Sequence, residues 1–88
     1  MPINTFEETW NKILKNQGEI FFTKNQHQFS YTINGTIVHP LHTNRNIPKS
    51  DILKAFNRLP INRPSDINTL VQGPSYVWAI LNDKRILN

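Results

Sequence analysis

His27-Gln28-Phe29-Ser30-Tyr31-Thr32-Ile33-Asn34-Gly35-Thr36-Ile37-Val38-His39 is the stretch that decides the fold. Phe29, Tyr31 and Ile33 alternate with Gln28, Ser30 and Thr32. That is the period of a strand with one face buried and the other wet. Asn34-Gly35 follows at once, and Thr36 to His39 returns as a second strand, stopped by Pro40. Asn-Gly between two such runs is a hairpin signal, because a type I′ turn needs positive φ at both central residues. Upstream, Glu19-Ile20-Phe21-Phe22-Thr23 reads as a further strand, separated from His27 by the polar Lys24-Asn25-Gln26. The expectation is a three-stranded antiparallel meander with 27–33 in the middle, followed by a polar connector over Leu41 to Ile47.

Helices flank the meander. Thr5 and Glu8 have the spacing of a capping box, and Phe6, Trp10, Ile13 and Leu14 form one apolar stripe behind it. Glu7 and Glu8 come early and Lys12 and Lys15 late, as the helix dipole favours, and Gly18 marks the stop. After the meander, Pro48-Lys49-Ser50-Asp51 reads as a helix start with Ser50 as cap. Ile52, Ala55, Phe56 and Leu59 make its apolar face, Asp51, Lys54 and Arg58 lie opposite, and Pro60 closes it. Ser65 and Asp66 open a short third helix with Ile67, Leu70 and Val71 inward and Gly73-Pro74 as its stop. Ser75 to Leu81 fits either a strand, by its β-branched and aromatic content, or a buried helix started by Pro74. The helix is preferred, ending near Asp83. The fold class is therefore α+β: an N-terminal helix, a three-stranded antiparallel meander, then two to three helices packed on one face of the sheet.

Composition bounds the function. A chain of 88 residues supports one domain, 1–88, because burying roughly 64% of the unfolded surface leaves room for one core and not two. Hydrophobic residues make up 38%, too many for a disordered tail. There is no cysteine, which excludes disulfides, thiolate metal sites and a Cys nucleophile. The start, Met1 to Thr5, shows no basic segment leading into an apolar run, so no secretory leader is read. No apolar run approaches the ~20 residues of a membrane span. A cytoplasmic protein with no membrane association is expected. Asn, Ile and Lys are abundant while alanine occurs only at Ala55 and Ala79, an AT-rich coding pattern that points to a bacterial, phage or plasmid gene.

The net charge is +4, and the cations gather. Between Arg45 and Arg63 stand Arg45, Lys49, Lys54, Arg58 and Arg63 against the single acid Asp51. A positive helix N-terminus among cations can seat a phosphate, so Arg45, Lys49, Ser50, Lys54, Arg58 and Arg63 are candidate backbone contacts. The bland alternative is a solvated helix face with an Asp51–Lys54 pair. Lys24, Asn25 and Gln28, at the turn and polar face of the meander, are candidate groove contacts, since Asn and Gln can pair with adenine. A wetted sheet face is the plain reading of the same residues. Tyr76, Trp78 and Arg85 are candidates for a protein-partner surface, if they are not simply core and its rim.

Catalysis has little to stand on. His39-Pro40-Leu41-His42 places two histidines in a short connector, the minor reading of a metal-assisted nuclease, but no third ligand stands nearby in sequence. The three glycines, Gly18, Gly35 and Gly73, sit singly at caps and turns and form no phosphate loop. The expected protein is thus a small non-enzymatic nucleic-acid-binding protein, DNA first, with no metal and no cofactor. A phage or plasmid module that binds and modulates a host protein is the alternative.

Overall fold

The computed structural model of the protein describes residues 5–87, with the side chain of Leu87 left aside. The leader reading rests on Met1 to Asn4, which lie outside the described residues. Helix α1 spans Phe6–Lys15 and is closed at its start by the expected reciprocal cap. The Glu8 N–H donates to Thr5 Oγ1 at 3.2 Å, and the Thr5 N–H to Glu8 Oε1 at 2.9 Å. Its far end is satisfied by side chains rather than by a long loop. Asn16 Nδ2 donates to the Lys12 carbonyl, Gln17 Nε2 to that of Leu14, and the buried Tyr31 hydroxyl to that of Ile13 at 2.7 Å. Gln17 Oε1 in turn accepts the Ile33 N–H at 2.8 Å. The last turn of α1 is thereby fastened to the strand that carries Tyr31.

The alternation of Phe29, Tyr31 and Ile33 is present, with Phe29 and Tyr31 buried. Its pairing differs from the expected one. Strands β1 (Phe21–Phe22) and β2 (Gln28–Phe29) form a two-stranded antiparallel ribbon. At Ser30 the chain changes partner. Strand β3 (Tyr31–Asn34) pairs with β4 (Ile37–Pro40), and β4 with β5 (Ile47–Pro48), giving a three-stranded antiparallel meander of order β3-β4-β5. The meander therefore draws its third strand from the end of the polar connector and not from residues 19–23. The Ser30 hydroxyl donates to the Glu19 carbonyl and its own carbonyl accepts the Leu41 N–H at 2.9 Å where the two sheets part.

The hairpin turn also shifts by one residue. Asn34 pairs with Ile37, which leaves Gly35-Thr36 as the two-residue loop. Only Gly35 has positive φ, +66°, and it takes the first central position. That is the φ pattern of a II′ turn rather than the I′ turn expected of Asn34-Gly35, and glycine is the residue it needs there.

Strand β5 runs straight into α2 (Lys49–Phe56), whose N-cap is Pro48. Ser50 therefore lies two residues past the cap position, and the helix start has no side-chain capping bond among the described residues. The first free N–H of the helix, that of Lys49, donates to the Thr36 carbonyl across the sheet. The helix ends at Phe56 instead of Leu59, with Asn57 and Arg58 in its closing turn and a cis peptide between Leu59 and Pro60. Asp51 is not on the wet face. It is buried, and Oδ2 accepts the Gln72 N–H at 2.9 Å while Lys54 Nζ stands 3.9 Å from Oδ1. The orphan N–H of a tight turn 21 residues on outweighs solvent as a partner for this carboxylate.

The expected third helix contracts to one 3-10 turn, Pro64–Ile67, tied by Asp66 Oδ2 to the N–H groups of Asn62 and Arg63. Ile67 and Val71 still point into the core. Helix α3 (Pro74–Leu81) follows Gly73 and resolves the helix-or-strand ambiguity as helix. Gly73 has φ +56°, a left-handed conformation that favours glycine, and a Cβ there would stand 3.1 Å from Ile47 Cδ1, tighter than ordinary contact. Val77, Ala79, Ile80 and Leu81 are all buried, which makes α3 the central helix of the core. A short α4 (Lys84–Leu87) returns toward α1 and buries Ile86. Among the described residues no helix is long and apolar enough to cross a membrane.

Candidate nucleic-acid interface

The parting of the two sheets at Ser30 leaves a concavity of about 990 Å³. Its walls are the β1–β2 ribbon with its turn, the 41–45 connector, and the approach to α3. Asn25, Gln28, Arg45, Gln72 and Tyr76 all line it, with His27 and His42. None of its lining residues is an Asp or Glu, and Arg45 is the one Lys or Arg among them. The side chains of Asn25, Gln28, His42 and Arg45 are exposed and hold no hydrogen-bond or ion-pair partner among the described residues. Gly73, Pro74 and Ser75 belong to the same wall, so the positive end of the α3 dipole borders the concavity. The apolar rim comes from Ile20 and Leu41, 48% and 36% exposed.

The connector that carries Arg45 is braced from within. Thr43 Oγ1 donates to the Pro40 carbonyl and accepts the Arg45 N–H. His39 Nδ1 lies 2.9 Å from the Arg45 carbonyl and 3.2 Å from Asn46 Oδ1. Both are acceptors, so Nδ1 carries the proton. His39 is thus engaged in holding the loop, while His42, at φ +65°, faces the concavity. No group of three or more His, Asp or Glu side chains able to hold a metal ion occurs among the described residues.

The basic residues that run together in sequence separate in space. Arg45 joins Asn25 and Gln28, and no residue of α2 lines their concavity. Lys49 and Ser50 border a smaller hollow with Phe6, Pro48 and Leu53, and Lys49 Nζ stands over the Trp10 ring at 5.1 Å. Lys54 is exposed and loosely paired with Asp51; Arg58 is exposed with no partner among the described residues. Arg63 pairs with Asp66, Nε to Oδ1 at 3.6 Å. Lys24 turns away from the concavity toward the Asn62 carbonyl and the Trp78 ring, 5.4 Å from its centroid. The α2 N-terminus is a poor phosphate seat, because Thr36 already accepts the Lys49 N–H and the Asp51 carboxylate occupies the first turn.

Of the three residues considered for a protein partner, Tyr76 is the one that lines the concavity, half-buried and with its ring edge-on to Phe29 at 4.9 Å. Trp78 is half-buried and its indole N–H donates to the Ile61 carbonyl. Arg85 is committed internally. Its Nε and Nη2 donate to Asp83, Nη2 also to the Ile20 carbonyl at 2.7 Å, and the guanidinium lies 4.1 Å from the Phe21 ring centroid. The side-chain hydrogen bond from Arg85 holds the Asp83 carboxyl below the usual range, and the same bond pushes Arg85 up. Asn68, Gln72 and Ile20, which also line the concavity, carry no sequence signal for it, because the fold alone brings them there. Comparison with protein-family models, curated proteins and solved structures finds no significant match.

Proposed function

We propose that the protein is a small, non-enzymatic, cytoplasmic nucleic-acid-binding protein of a bacterium or mobile element, with DNA as its first ligand. One observation carries this reading: an acid-free concavity that gathers Arg45 with the unpartnered amides of Asn25 and Gln28. Amides read base edges, and a guanidinium meets phosphate. The net charge of +4, to which the exposed Lys54 and Arg58 contribute, favours encounter with a polyanion. Fluorescence anisotropy with labelled mixed-sequence oligonucleotides, in duplex and single-stranded form, tests it. Binding at about 50 mM salt that weakens toward about 200 mM is expected. No anisotropy change with any oligonucleotide at the lower salt overturns it. A protein-interaction module is the second reading, favoured by Ile20 and Phe22, 48% and 47% exposed at the start of the ribbon. It predicts a co-purifying protein lost on Phe22→Ser.

A further inference from the structure

We infer that the concavity is the seat of an unpaired strand of nucleic acid, with a base against Tyr76 and a phosphate at Arg45; this deepens the nucleic-acid reading and rests on it. The argument begins with shape. In duplex DNA the base edges lie at the floor of a groove about 8.5 Å deep, so a protein must send a protruding helix or ribbon to reach them. The groups here that can read a base, Asn25 and Gln28, line a hollow instead. The ribbon that carries Gln28 pairs over only two residues on each strand, Phe21-Phe22 with Gln28-Phe29. A recessed set of amides suits a base that comes to the protein, as unstacked bases of a single strand do.

The lining chemistry agrees. A base presents an apolar face and a polar edge. Tyr76 offers a ring in the same hollow as the amides, and Ile20 and Leu41 offer apolar rim. Among the described residues no Asp or Glu lines the hollow to repel the backbone. The charge count then sets a measurable signature. With Arg45 the one Lys or Arg in the lining, a strand held there releases few counterions, and log K should fall against log salt with a slope of about −0.7. A duplex held by Arg45, Lys49, Lys54, Arg58 and Arg63 together would give a slope of about −4.5.

The experiment is anisotropy of the full chain with labelled oligothymidylate and oligouridylate of about 12 nucleotides, inside the usual site size of a small single-strand binder, and with a mixed duplex. The single strands are expected to bind more tightly than the duplex and with the shallow slope. Either sugar supports the assignment, and the ratio of the two affinities identifies the strand. Tyr76→Leu is expected to weaken single-strand binding by about 5- to 150-fold, the range that loss of one stacked base produces. Arg45→Gln, Asn25→Ala and Gln28→Ala change exposed side chains and keep the test independent of folding; Arg45→Gln should also bring the salt slope close to zero. If the duplex binds at least as tightly as the single strands, and Lys54→Glu with Arg58→Glu abolishes binding while Arg45→Gln and Gln28→Ala leave it unchanged, the inference fails and the nucleic-acid reading stands. If no oligonucleotide binds at all, the reading fails and this inference with it.

Discussion

Tyr31→Phe removes one oxygen from the centre of the molecule and tests how α1 is held. The phenol is buried, and its hydroxyl donates to the Ile13 carbonyl at 2.7 Å. That carbonyl is among the last four of α1, which have no partner inside the helix. The substitution therefore deletes a hydrogen bond and strands a buried acceptor, a loss of about 1–2 kcal/mol. An unfolding entropy of about 185 cal/mol/K for 88 residues converts 1.5 kcal/mol into a fall in Tm of about 8 °C. Burial also pushes the Tyr31 phenol well above the ordinary tyrosine value, which adds a pH signature. The folded pKa is raised, so the stability is fully present below the unfolded value near 10 and is lost as pH rises beyond it. Above that point the wild type loses about 1.36 kcal/mol per pH unit through this one group, and Tyr31→Phe does not. The gap between the two proteins should close within roughly one pH unit above 10. Urea denaturation at about pH 8 and at steps above pH 10 measures both effects. A variant as stable as the wild type at the lower pH, or a gap that stays constant through the alkaline range, refutes the account.

Thr9 is fully buried, and its hydroxyl has no hydrogen-bond partner among the described residues. Thr9→Val keeps the shape and removes an unpaired polar group, so thermal melting should show a gain of about 1 kcal/mol or about 5 °C. Asp51→Ala strands the Gln72 N–H and should cost about 1–3 kcal/mol, whereas Asp51→Asn, which keeps an acceptor, should cost less; denaturant midpoints compare the two. Asp83 has a depressed carboxyl, so its contribution is present above the unfolded Asp value near 3.9 and is lost as pH falls toward the folded one. Asp83→Asn should flatten the acid limb of the stability curve below about pH 4, and an unchanged limb would exclude the Asp83–Arg85 bond as a source of acid sensitivity.

What could be read from the sequence follows the range of the interactions. The α1 cap was legible because Thr5 and Glu8 satisfy each other within one turn. The buried positions Phe29 and Tyr31 were legible because a strand's faces alternate whatever it pairs with. The pairing itself was not, since nothing local distinguishes Ile47-Pro48 as a strand: two residues become one because Val38 and Ile37 lie beside them. The same short strand moves the cap of α2 from Ser50 to Pro48, and it is why a serine well placed in sequence caps nothing. Asp51 illustrates the converse. A helical wheel puts it with Lys54 and Arg58, yet the Gln72 N–H, distant in sequence, draws it inward. For the site, Arg45, Asn25 and Gln28 were legible as residue types and not as neighbours. The charge run was legible as composition, but its members divide: Arg45 to the concavity, Lys49 to the α2 hollow, Lys54 and Arg58 to exposed positions on α2 and its closing turn, and Arg63 to the turn with Asp66.

The change of partner at Ser30 accounts for both the fold and the candidate site. Had residues 27–33 continued as one strand between two neighbours, Asn25 and Gln28 would lie on a flat wet sheet face. Instead the ribbon leaves the meander where the Ser30 hydroxyl meets Glu19, and the Ser30 carbonyl takes the N–H of Leu41. That second bond anchors the start of the connector at the break, and the braces from Thr43 and His39 fix the rest of it around Arg45. The guanidinium and the amides thus become neighbours because the β3–β4 ladder runs one rung past Pro40, where the Ser30 carbonyl accepts the Leu41 N–H at the start of the loop that carries the charge. The hollow and the arginine in its lining meet at that rung, which is why neither the polar face nor the basic run points to it alone.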